Sequence, residues 1–302
     1  MSIEVQNISK YYEEQLALDQ ISFKVNSGEI VGFLGPNGAG KSTTMKIISC
    51  FIKPSKGEIL VDGDSIHNNE IKVKSKIGYL PENNPLYEDM YVRESIGFIA
   101  QMHKVENWKI AVENVIEKVG LHKESHKKIG QLSKGYQQRV GIAQAIVHDP
   151  KVLILDEPTS GLDPNQLDEI RLLIKELGKN KTVMLSTHIM QEVESICDRI
   201  VVINNGKIVA DQNLEEKTNI KNLPKDQILL VEFDQELKIN SLKKSFPNTK
   251  IDKKDHVWIF SHKGKNDLRK TISKYAQKNN ILILEMKTHN DKLEDLFKKL
   301  TK

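Results

Sequence analysis

One eight-residue segment limits the folds open to this chain more than any other: Gly35, Pro36, Asn37, Gly38, Ala39, Gly40, Lys41 and Ser42. It fits the pattern G-x-x-x-x-G-K-[ST], in which backbone N–H groups surround phosphates, the lysine reaches the β- and γ-phosphates and the hydroxyl holds Mg²⁺. Glycine makes up only about 7% of ordinary sequences, so a chance match in a chain of this length has a probability on the order of one per cent.

The residues on either side of this segment suit a phosphate-binding loop. The apolar run 29–34 predicts a buried strand that ends at the loop, and residues 42–50 have apolar side chains at helical spacing. Phosphate would therefore meet the N-terminus of a helix, where free N–H groups and the helix dipole favour an anion. The sequence predicts a nucleotide site here.

Length and composition favour one large domain and one small one within 302 residues. Hydrophobic residues make up 38% and charged residues 28%, as in ordinary soluble proteins. No apolar run approaches the ~18 residues of a membrane span, and the first residues lack the pattern of a secretory signal. Cys50 and Cys197 lie in apolar helical patterns, which predicts two reduced interior cysteines in a cytoplasmic protein.

Charge is distributed unevenly along the chain. Residues 221–302 carry a net charge of +8, from 19 Lys and Arg against 11 Asp and Glu, whereas the whole chain carries only +4. The excess is either a general lysine bias on solvated surfaces or a face directed at lipid headgroups or nucleic acid.

Two acidic residues follow the most apolar predicted strand, 151–155. Asp156, at the end of such a strand and downstream of a phosphate loop, is typical of a Mg²⁺ ligand. The adjacent Glu157 is typical of a base that polarises the attacking water. Two solvated loop acids are a weaker alternative, because the strand before them is so apolar. The next predicted strand, 182–187, ends at His188, which is either structural or, if the strands are neighbours, close to the γ-phosphate.

Two other positions each have two interpretations. Tyr12, predicted to lie just before a strand, is either a packing residue or a face on which a purine stacks. Ser133, two residues before Gly135, begins a long predicted helix. It is either an ordinary N-cap or the start of a second anion-binding helix.

The remaining pattern divides the chain at residue 220. Strands are predicted at 3–8, 21–25, 58–62 and 77–82, helices between about 93 and 147 and at 165–177, and a hairpin at 199–203 and 207–210. Beyond the boundary, strands at 227–233, 256–260 and 281–286 alternate with helices at 241–246, 267–278 and 291–300. We therefore expect a domain at 1–220, with a helical subdomain at about 90–150, and a basic α+β domain at 221–302.

The motifs together resemble a known family. The phosphate loop, residues 132–139, the strand ending in Asp156 and Glu157, residues 160–163 and His188 resemble the ATP-binding subunit of ABC transporters, over about residues 1–215. The chain looks like the exporter branch that works with a separate ABC-2-type permease, and is similar to the subunit associated with bacterial gliding motility. The resemblance implies an α/β P-loop NTPase with a RecA-like mixed core sheet, an antiparallel β subdomain and a helical signature subdomain.

The resemblance also implies a role for each matching residue. Tyr12 would stack on adenine, the phosphate loop and Thr43 would hold the phosphates, and Lys41, Glu157 and His188 would act in hydrolysis. Mg²⁺ would be held by Ser42, Asp156 and Glu82. Ser133 and Gly135 would bind the γ-phosphate of ATP held by an opposite subunit, and Asp163 would link the two sites.

Two departures from the family pattern stand out. Glu82 occupies a position where the family usually has glutamine, which puts metal coordination and coupling to the permease in doubt. Lys134 and Tyr136 stand where the commonest signature has glycine and glutamine, and Lys134 adds positive charge near the phosphate.

The expected function is therefore ATP hydrolysis that energises export, with ATP and Mg²⁺ as ligands. The expected partners are a second copy of the chain and an integral membrane permease, at the inner face of the cell membrane, without nucleic acid. The alternative is a soluble ABC ATPase that acts on ribosomes or nucleic acid. It is disfavoured because the chain has one phosphate loop, and because only 92 positions, without a heptad run, separate Lys41 from Ser133. A P-loop kinase or GTPase would leave the Ser133 loop unexplained.

Overall fold

The computed structural model describes residues 2–214, 226–237, 239–247, 249–254, 256–263 and 268–289. These residues form two compact units, one ending at Leu214 and the other beginning at Asp226. The predicted domain boundary at 220 and the predicted helix at 291–300 lie outside the described residues.

The larger unit contains ten strands and seven α-helices among its described residues. In chain order these are β1 (Ile3–Tyr12), β2 (Gln15–Val25), β3 (Ile30–Leu34), α1 (Lys41–Ile48), β4 (Lys56–Val61), β5 (Asp64–Ser65), α2 (Glu70–Lys76), β6 (Ile77–Leu80), α3 (Val92–Met102), α4 (Trp108–Lys118), α5 (Lys134–Ile146), β7 (Val152–Asp156), α6 (Pro164–Gly178), β8 (Thr182–Thr187), α7 (Met190–Ile196), β9 (Arg199–Asn204) and β10 (Lys207–Asn213).

A six-stranded mixed sheet forms the centre of this unit, in the order β10-β9-β3-β8-β7-β6. All neighbours are parallel except the β9–β10 hairpin. Strands β3, β7 and β8 are buried along their whole length, which explains their nearly continuous apolar sequences. Since β8 pairs directly with β7, the expected neighbourhood of the histidine strand and the acidic strand is confirmed.

A second, antiparallel sheet has the order β2-β1-β4-β5. Its apolar side chains share one core with the central sheet and α1, and the rings of Phe23 and Phe33 lie 5.4 Å apart there. Helix α1 contributes Met45, Ile47 and Ile48, all fully buried, to that core. The shared core holds the start of α1 against the end of β3, and this fixes the loop between them.

Helices α3, α4 and α5 occupy the predicted helical region. Gly97 of α3 faces Trp108 of α4 so closely that a Cβ would come within 3.0 Å of the indole ring. The mixed sheet, the antiparallel sheet and this helical group confirm the expected P-loop NTPase fold.

The smaller unit is an antiparallel sheet with two described helices. Its elements are β11 (Asp226–Phe233), α8 (Ile239–Ser245), β12 (Thr249–Lys254), β13 (Val257–Lys263), α9 (Leu268–Lys278) and β14 (Ile283–His289), with strand order β12-β13-β11-β14. The core includes Leu229, Phe260 and Ile272. The expected α+β class is correct, but the simple alternation of strands and helices is wrong because β12 was not predicted. Only Ile251 of its six residues is apolar, too little for a periodic signal.

Several predicted boundaries and one burial prediction differ from the structure. Strands β1 and β2 extend beyond the predicted 3–8 and 21–25, and the short helices α2 and α7 were not predicted. Both cysteines are free, and Cys197 is buried, but Cys50 is only partly buried. Burial nevertheless raises the pKa of the Cys50 thiol to about 11. Among the described residues, no helix combines the length and apolarity that a membrane span requires.

Candidate functional site

A cleft of about 650 Å³ opens at the carboxyl ends of the central parallel strands. The loop after β3, the acids after β7 and the histidine after β8 all reach this edge, the usual ligand position in an open α/β sheet. The residues that line it are Tyr12, Gln15, Leu16, Ala17, Asn37, Gly38, Gly40, Lys41, Ser42, Thr43, Glu82, Glu157, Ser160, His188, Asn205 and Gly206.

Two glycines of the loop that follows β3 leave no room for a side chain. Gly40 has φ of 109°, and a Cβ there would lie 2.6 Å from Leu18 Cδ2. A Cβ on Gly35 would lie 2.4 Å from the backbone oxygen of Ile203. Of the predicted loop residues, Asn37, Gly38, Gly40, Lys41, Ser42 and Thr43 line the cleft, while Gly35, Pro36 and Ala39 form the loop without being among the lining residues.

The Lys41 side chain lies back along its own loop. Its ammonium donates to the carbonyl oxygens of Gly35 at 2.9 Å and Pro36 at 3.2 Å, and the residue is only 6% exposed. Its Nζ also lies 3.7 Å from Glu157 Oε1. A buried cation is therefore held at the base of the cleft.

Asp156 lies behind the lining residues and connects the loop to the central sheet. Its Oδ1 accepts hydrogen bonds from Ser42 Oγ at 3.2 Å and from Ser186 Oγ at 2.6 Å. Ser186 Oγ in turn accepts from the backbone N–H of Glu157 at 2.9 Å. This chain of hydrogen bonds fixes both acids relative to the start of α1.

Glu157 lies directly beside His188. Its Oε2 is 3.0 Å from His188 Nδ1, and its backbone has φ of 50°, which is unusual for a residue other than glycine. Burial raises the pKa of the Glu157 carboxyl, while the nearby His188 and Lys41 act in the opposite direction. A carboxyl that binds a proton more tightly than usual is a better general base than an exposed one.

The oxygen atoms near the start of α1 are suitable Mg²⁺ ligands. The Ser42 hydroxyl and the Asp156 carboxylate are within hydrogen-bond distance of each other, and Glu82 lines the same cleft. Mg²⁺ prefers oxygen and usually takes only one or two carboxylates, with phosphate and water completing the shell. Accordingly, the described residues contain no cluster of three or more His, Cys, Asp and Glu side chains that would hold a metal alone.

Tyr12 lies at the rim of the cleft and is 45% exposed. It lies just before β2, as expected, but it is also the last residue of β1, where it pairs with Gln15, and the predicted first strand ended at residue 8. Lys10 Nζ lies 5.2 Å from the centre of its ring. The exposed ring is available to a flat ligand in the cleft.

Ser133, Gly135 and Asp163 are not among the residues that line the cleft. They lie together at the starts of α5 and α6, where Gln166 contacts all three. Ser133 occupies the N-cap position of α5, but its side chain makes no capping hydrogen bond. Asp163 does cap α6, since its Oδ1 accepts from Gln166 N at 2.9 Å.

The sequence analysis did not identify Glu192, which is hydrogen-bonded to both of the segments that carry Glu157 and His188. The side chain is almost fully buried and accepts hydrogen bonds from Thr159 Oγ1 at 2.6 Å and Thr187 Oγ1 at 2.5 Å. The sequence pattern that could have identified it is an acid at a position that shares the buried face of α7 with Met190, Val193 and Ile196. A buried carboxylate needs such partners, because an unpaired one is very costly.

The family model described as "ABC transporter" matches residues 18–160. The chain is 40% identical over 217 residues to an uncharacterized ABC transporter ATP-binding protein, YhcH of Bacillus subtilis, covering 71% of each chain. It is 34% identical to the bacitracin transport ATP-binding protein BcrA of Bacillus licheniformis, covering 99% of this chain and 96% of BcrA.

A solved structure with a similar fold is the ATP-binding cassette MJ0796, determined as a dimer. The TM-score is 0.65 and the identity 28%, over 70% of this chain and 98% of that one. A post-hydrolysis dimer of MJ0796 bound to ADP and Pi matches with the same TM-score and identity. The resemblance to these solved structures is one of fold, over 70% of this chain.

Proposed function

The chain belongs to the ATP-binding proteins of ABC transporters and hydrolyses ATP, and we propose that it does so to drive export through a separate ABC-2-type membrane permease. The main observation in support of ATP hydrolysis is the close grouping of Glu157, His188 and Lys41 at the edge of the central sheet. The full-length similarity to BcrA supports the transport role.

In the proposed mechanism Glu157 takes a proton from the water that attacks the γ-phosphorus of ATP. Its burial favours this step, because the raised pKa increases its proton affinity. The bond between the γ-phosphorus and the oxygen that bridges it to the β-phosphate breaks, and ADP leaves with that oxygen. His188, whose Nδ1 lies 3.0 Å from Glu157 Oε2, orients the carboxylate. His188 and Lys41 both stabilise negative charge on the γ-phosphoryl group as it is transferred to water.

The remaining cleft residues bind the nucleotide. The loop from Gly35 to Ser42 and Thr43 presents N–H groups to the phosphates, and Tyr12 offers its ring to adenine. Ser42, Asp156 and Glu82 would hold Mg²⁺, which neutralises phosphate charge when bound. Compared with glutamine, the carboxylate of Glu82 adds one negative charge to that set.

The second copy of the chain supplies Ser133 and Gly135 in this proposal. Within one copy these residues are not among those that line the cleft, so they act only if another subunit presents them to the bound ATP. The dimeric structure of MJ0796 supports such an assembly. Asp163 would then lie close to the boundary between the two copies, where it links the two sites.

We further propose that the protein works in the cytoplasm at the inner face of the membrane, bound to its permease. The similarity to a bacitracin transport protein makes a peptide antibiotic the favoured type of cargo. The role in gliding motility stays a hypothesis, because the relatives described above have bacitracin transport or no stated cargo in their names.

The test uses the Glu157→Gln variant, which should bind ATP without cleaving it. We expect an ATP-dependent shift to a dimer in gel filtration, and a polytopic membrane protein that copurifies in detergent with ATP. The matched control is Glu157→Gln combined with Lys41→Ala, which should remain monomeric. If ribosomes or DNA copurify instead of a membrane protein, the protein is a soluble ABC ATPase and the export proposal is wrong.

A further inference from the structure

The side chain of Gln166 lies against the start of α5, beside Ser133 and Gly135. Its Nε2 donates to Ser133 Oγ at 3.3 Å. A Cβ on Gly135 would lie 2.5 Å from Gln166 Cδ and 2.6 Å from its Oε1. The side-chain amide of Gln166 thus occupies the space that the missing side chain of Gly135 leaves open.

Gln166 is itself held in place at the first turn of α6. Its backbone N–H donates to Asp163 Oδ1 at 2.9 Å, and its side chain is partly buried. A buried hydrogen bond from Gln138 Nε2 to the carbonyl oxygen of Pro158, at 2.8 Å, joins α5 to the loop that leads into α6. The amide of Gln166 is therefore presented to Ser133 from a fixed backbone.

The direction of this hydrogen bond determines what the Ser133 hydroxyl can still do. A serine hydroxyl has one hydrogen to donate and two lone pairs with which to accept. Because Ser133 accepts from Gln166, its own hydrogen is directed away from that amide. Among the described hydrogen bonds, the Ser133 hydroxyl only accepts, from Gln166, and donates to no acceptor, so its hydrogen remains available to an anion. Accepting one hydrogen bond also makes a hydroxyl a stronger donor.

We propose that Gln166 is a positioning residue for Ser133. It holds the hydroxyl as an acceptor, so that the hydroxyl donates to the γ-phosphate of ATP bound by a second copy of the chain. This inference rests on the proposed function, which places Ser133 opposite the partner's nucleotide. Gln166 does not touch the nucleotide itself, and it acts through the orientation of Ser133 alone.

The test compares two replacements of Gln166 in the Glu157→Gln background, with dimer formation measured by light scattering as ATP is added. Gln166→Leu keeps most of the side-chain volume but removes the donor. In Gln166→Glu the carboxylate accepts the hydrogen of the Ser133 hydroxyl and no longer donates to its oxygen. We expect the ATP concentration at half-dimerisation to rise roughly threefold to tenfold for Gln166→Leu, the effect of one net hydrogen bond. Gln166→Glu should raise it further, because it reverses the hydrogen bond and adds negative charge near a phosphate.

The matched control is Asn165→Ala, a change at the exposed neighbouring residue of the same helix, which should stay within about twofold of the parent. With Glu157 intact, Gln166→Leu should raise KM for ATP more than it lowers kcat. A purely structural role would instead reduce the active fraction, and hence kcat, without moving the ATP midpoint.

The possible results separate the two proposals. If all three variants have the same midpoint as the parent, or if Gln166→Glu dimerises at lower ATP than Gln166→Leu, the role of Gln166 is wrong and the proposed function stands. If the parent with Gln166 intact forms no dimer at any ATP concentration, the proposed function fails and this inference fails with it.

Discussion

Replacing Glu192 by alanine should damage both stability and catalysis, although the residue is outside the cleft. Its carboxylate is 1% exposed and joins Thr159, two residues after Glu157, to Thr187, which directly precedes His188. The backbone N–H of Ile189 also donates to Thr187 Oγ1, at 3.0 Å. The carboxylate thus holds together the two loops that carry the proposed base and its histidine.

The size of the stability loss follows from the groups left behind. Without Glu192, the Thr159 hydroxyl loses its described partner. The Thr187 hydroxyl keeps only the hydrogen bond that it accepts from Ile189, so two buried hydroxyl donors are left unpaired. Each unpaired donor costs about 1–3 kcal/mol. The substitution also removes the buried Glu192 carboxylate, and the desolvation cost of that charge disappears with it, which offsets part of the loss. We therefore expect a net loss of about 2–4 kcal/mol in the free energy of unfolding, from the balance of these two effects. For a unit of this size that is a decrease in Tm of roughly 4–16 °C.

Catalysis should fall with a distinct kinetic signature. A displacement of about 1 Å between catalytic groups can lower a rate a hundredfold, so we expect kcat to fall at least about tenfold. KM for ATP should change little, because the phosphate loop makes no contact with Glu192 in the described hydrogen bonds. Thermal unfolding and steady-state ATPase kinetics measure the two effects.

Two further variants serve as comparisons for Glu192→Ala. Glu194→Ala removes an exposed acid from the same helix and should change the unfolding free energy by no more than about 0.5 kcal/mol. Glu192→Gln keeps the shape and can pair with both hydroxyls, so it should lie close to the parent protein. If Glu192→Ala matches Glu194→Ala in both Tm and kcat, the bracing role of Glu192 is refuted.

Two other predictions concern the cleft. Burial raises the pKa of Glu157, so activity should fall as the pH drops through that raised pKa. Because His188 lowers the same pKa, His188→Gln should move this acid limb of the kcat–pH profile to higher pH. An acid limb at the same pH in both proteins would contradict the coupling between Glu157 and His188. Gly40→Ala should weaken ATP binding more than Gly38→Ala, measured by titration with a fluorescent ATP analogue. Both glycines have positive φ, but only a Cβ on Gly40 meets another residue, Leu18, so equal effects would show that the steric argument is wrong.

Local sequence patterns were sufficient for the elements that build the cleft. The apolar run before Gly35 and the helical spacing after Ser42 correctly predicted β3 and α1, because burial and periodicity are recorded within a few consecutive residues. The same holds for the strand ending at Asp156 and the one ending before His188. The roles of the residues on these elements remain predictions.

Patterns failed where the signal was weak or not periodic. Strand β12 has a single apolar residue, and it is a strand because both its hydrogen bonds and its register come from β13. The first strand was predicted to end at residue 8, whereas pairing with β2 extends β1 as far as Tyr12. In both cases the partner strand, rather than the local composition, determines the conformation.

By itself, the sequence determined that this chain has a glycine-rich loop on a strand–helix junction, acids and a histidine at the ends of apolar strands, and a second unit of α+β type. Only the tertiary structure decided which side chains meet. Glu192 contacts Thr159 across 33 positions, and Gln166 contacts Ser133 across another 33. Such contacts depend on how distant elements pack, and the hydrogen-bonding capacity of a buried acid or an amide does not say which partner the fold will bring to it.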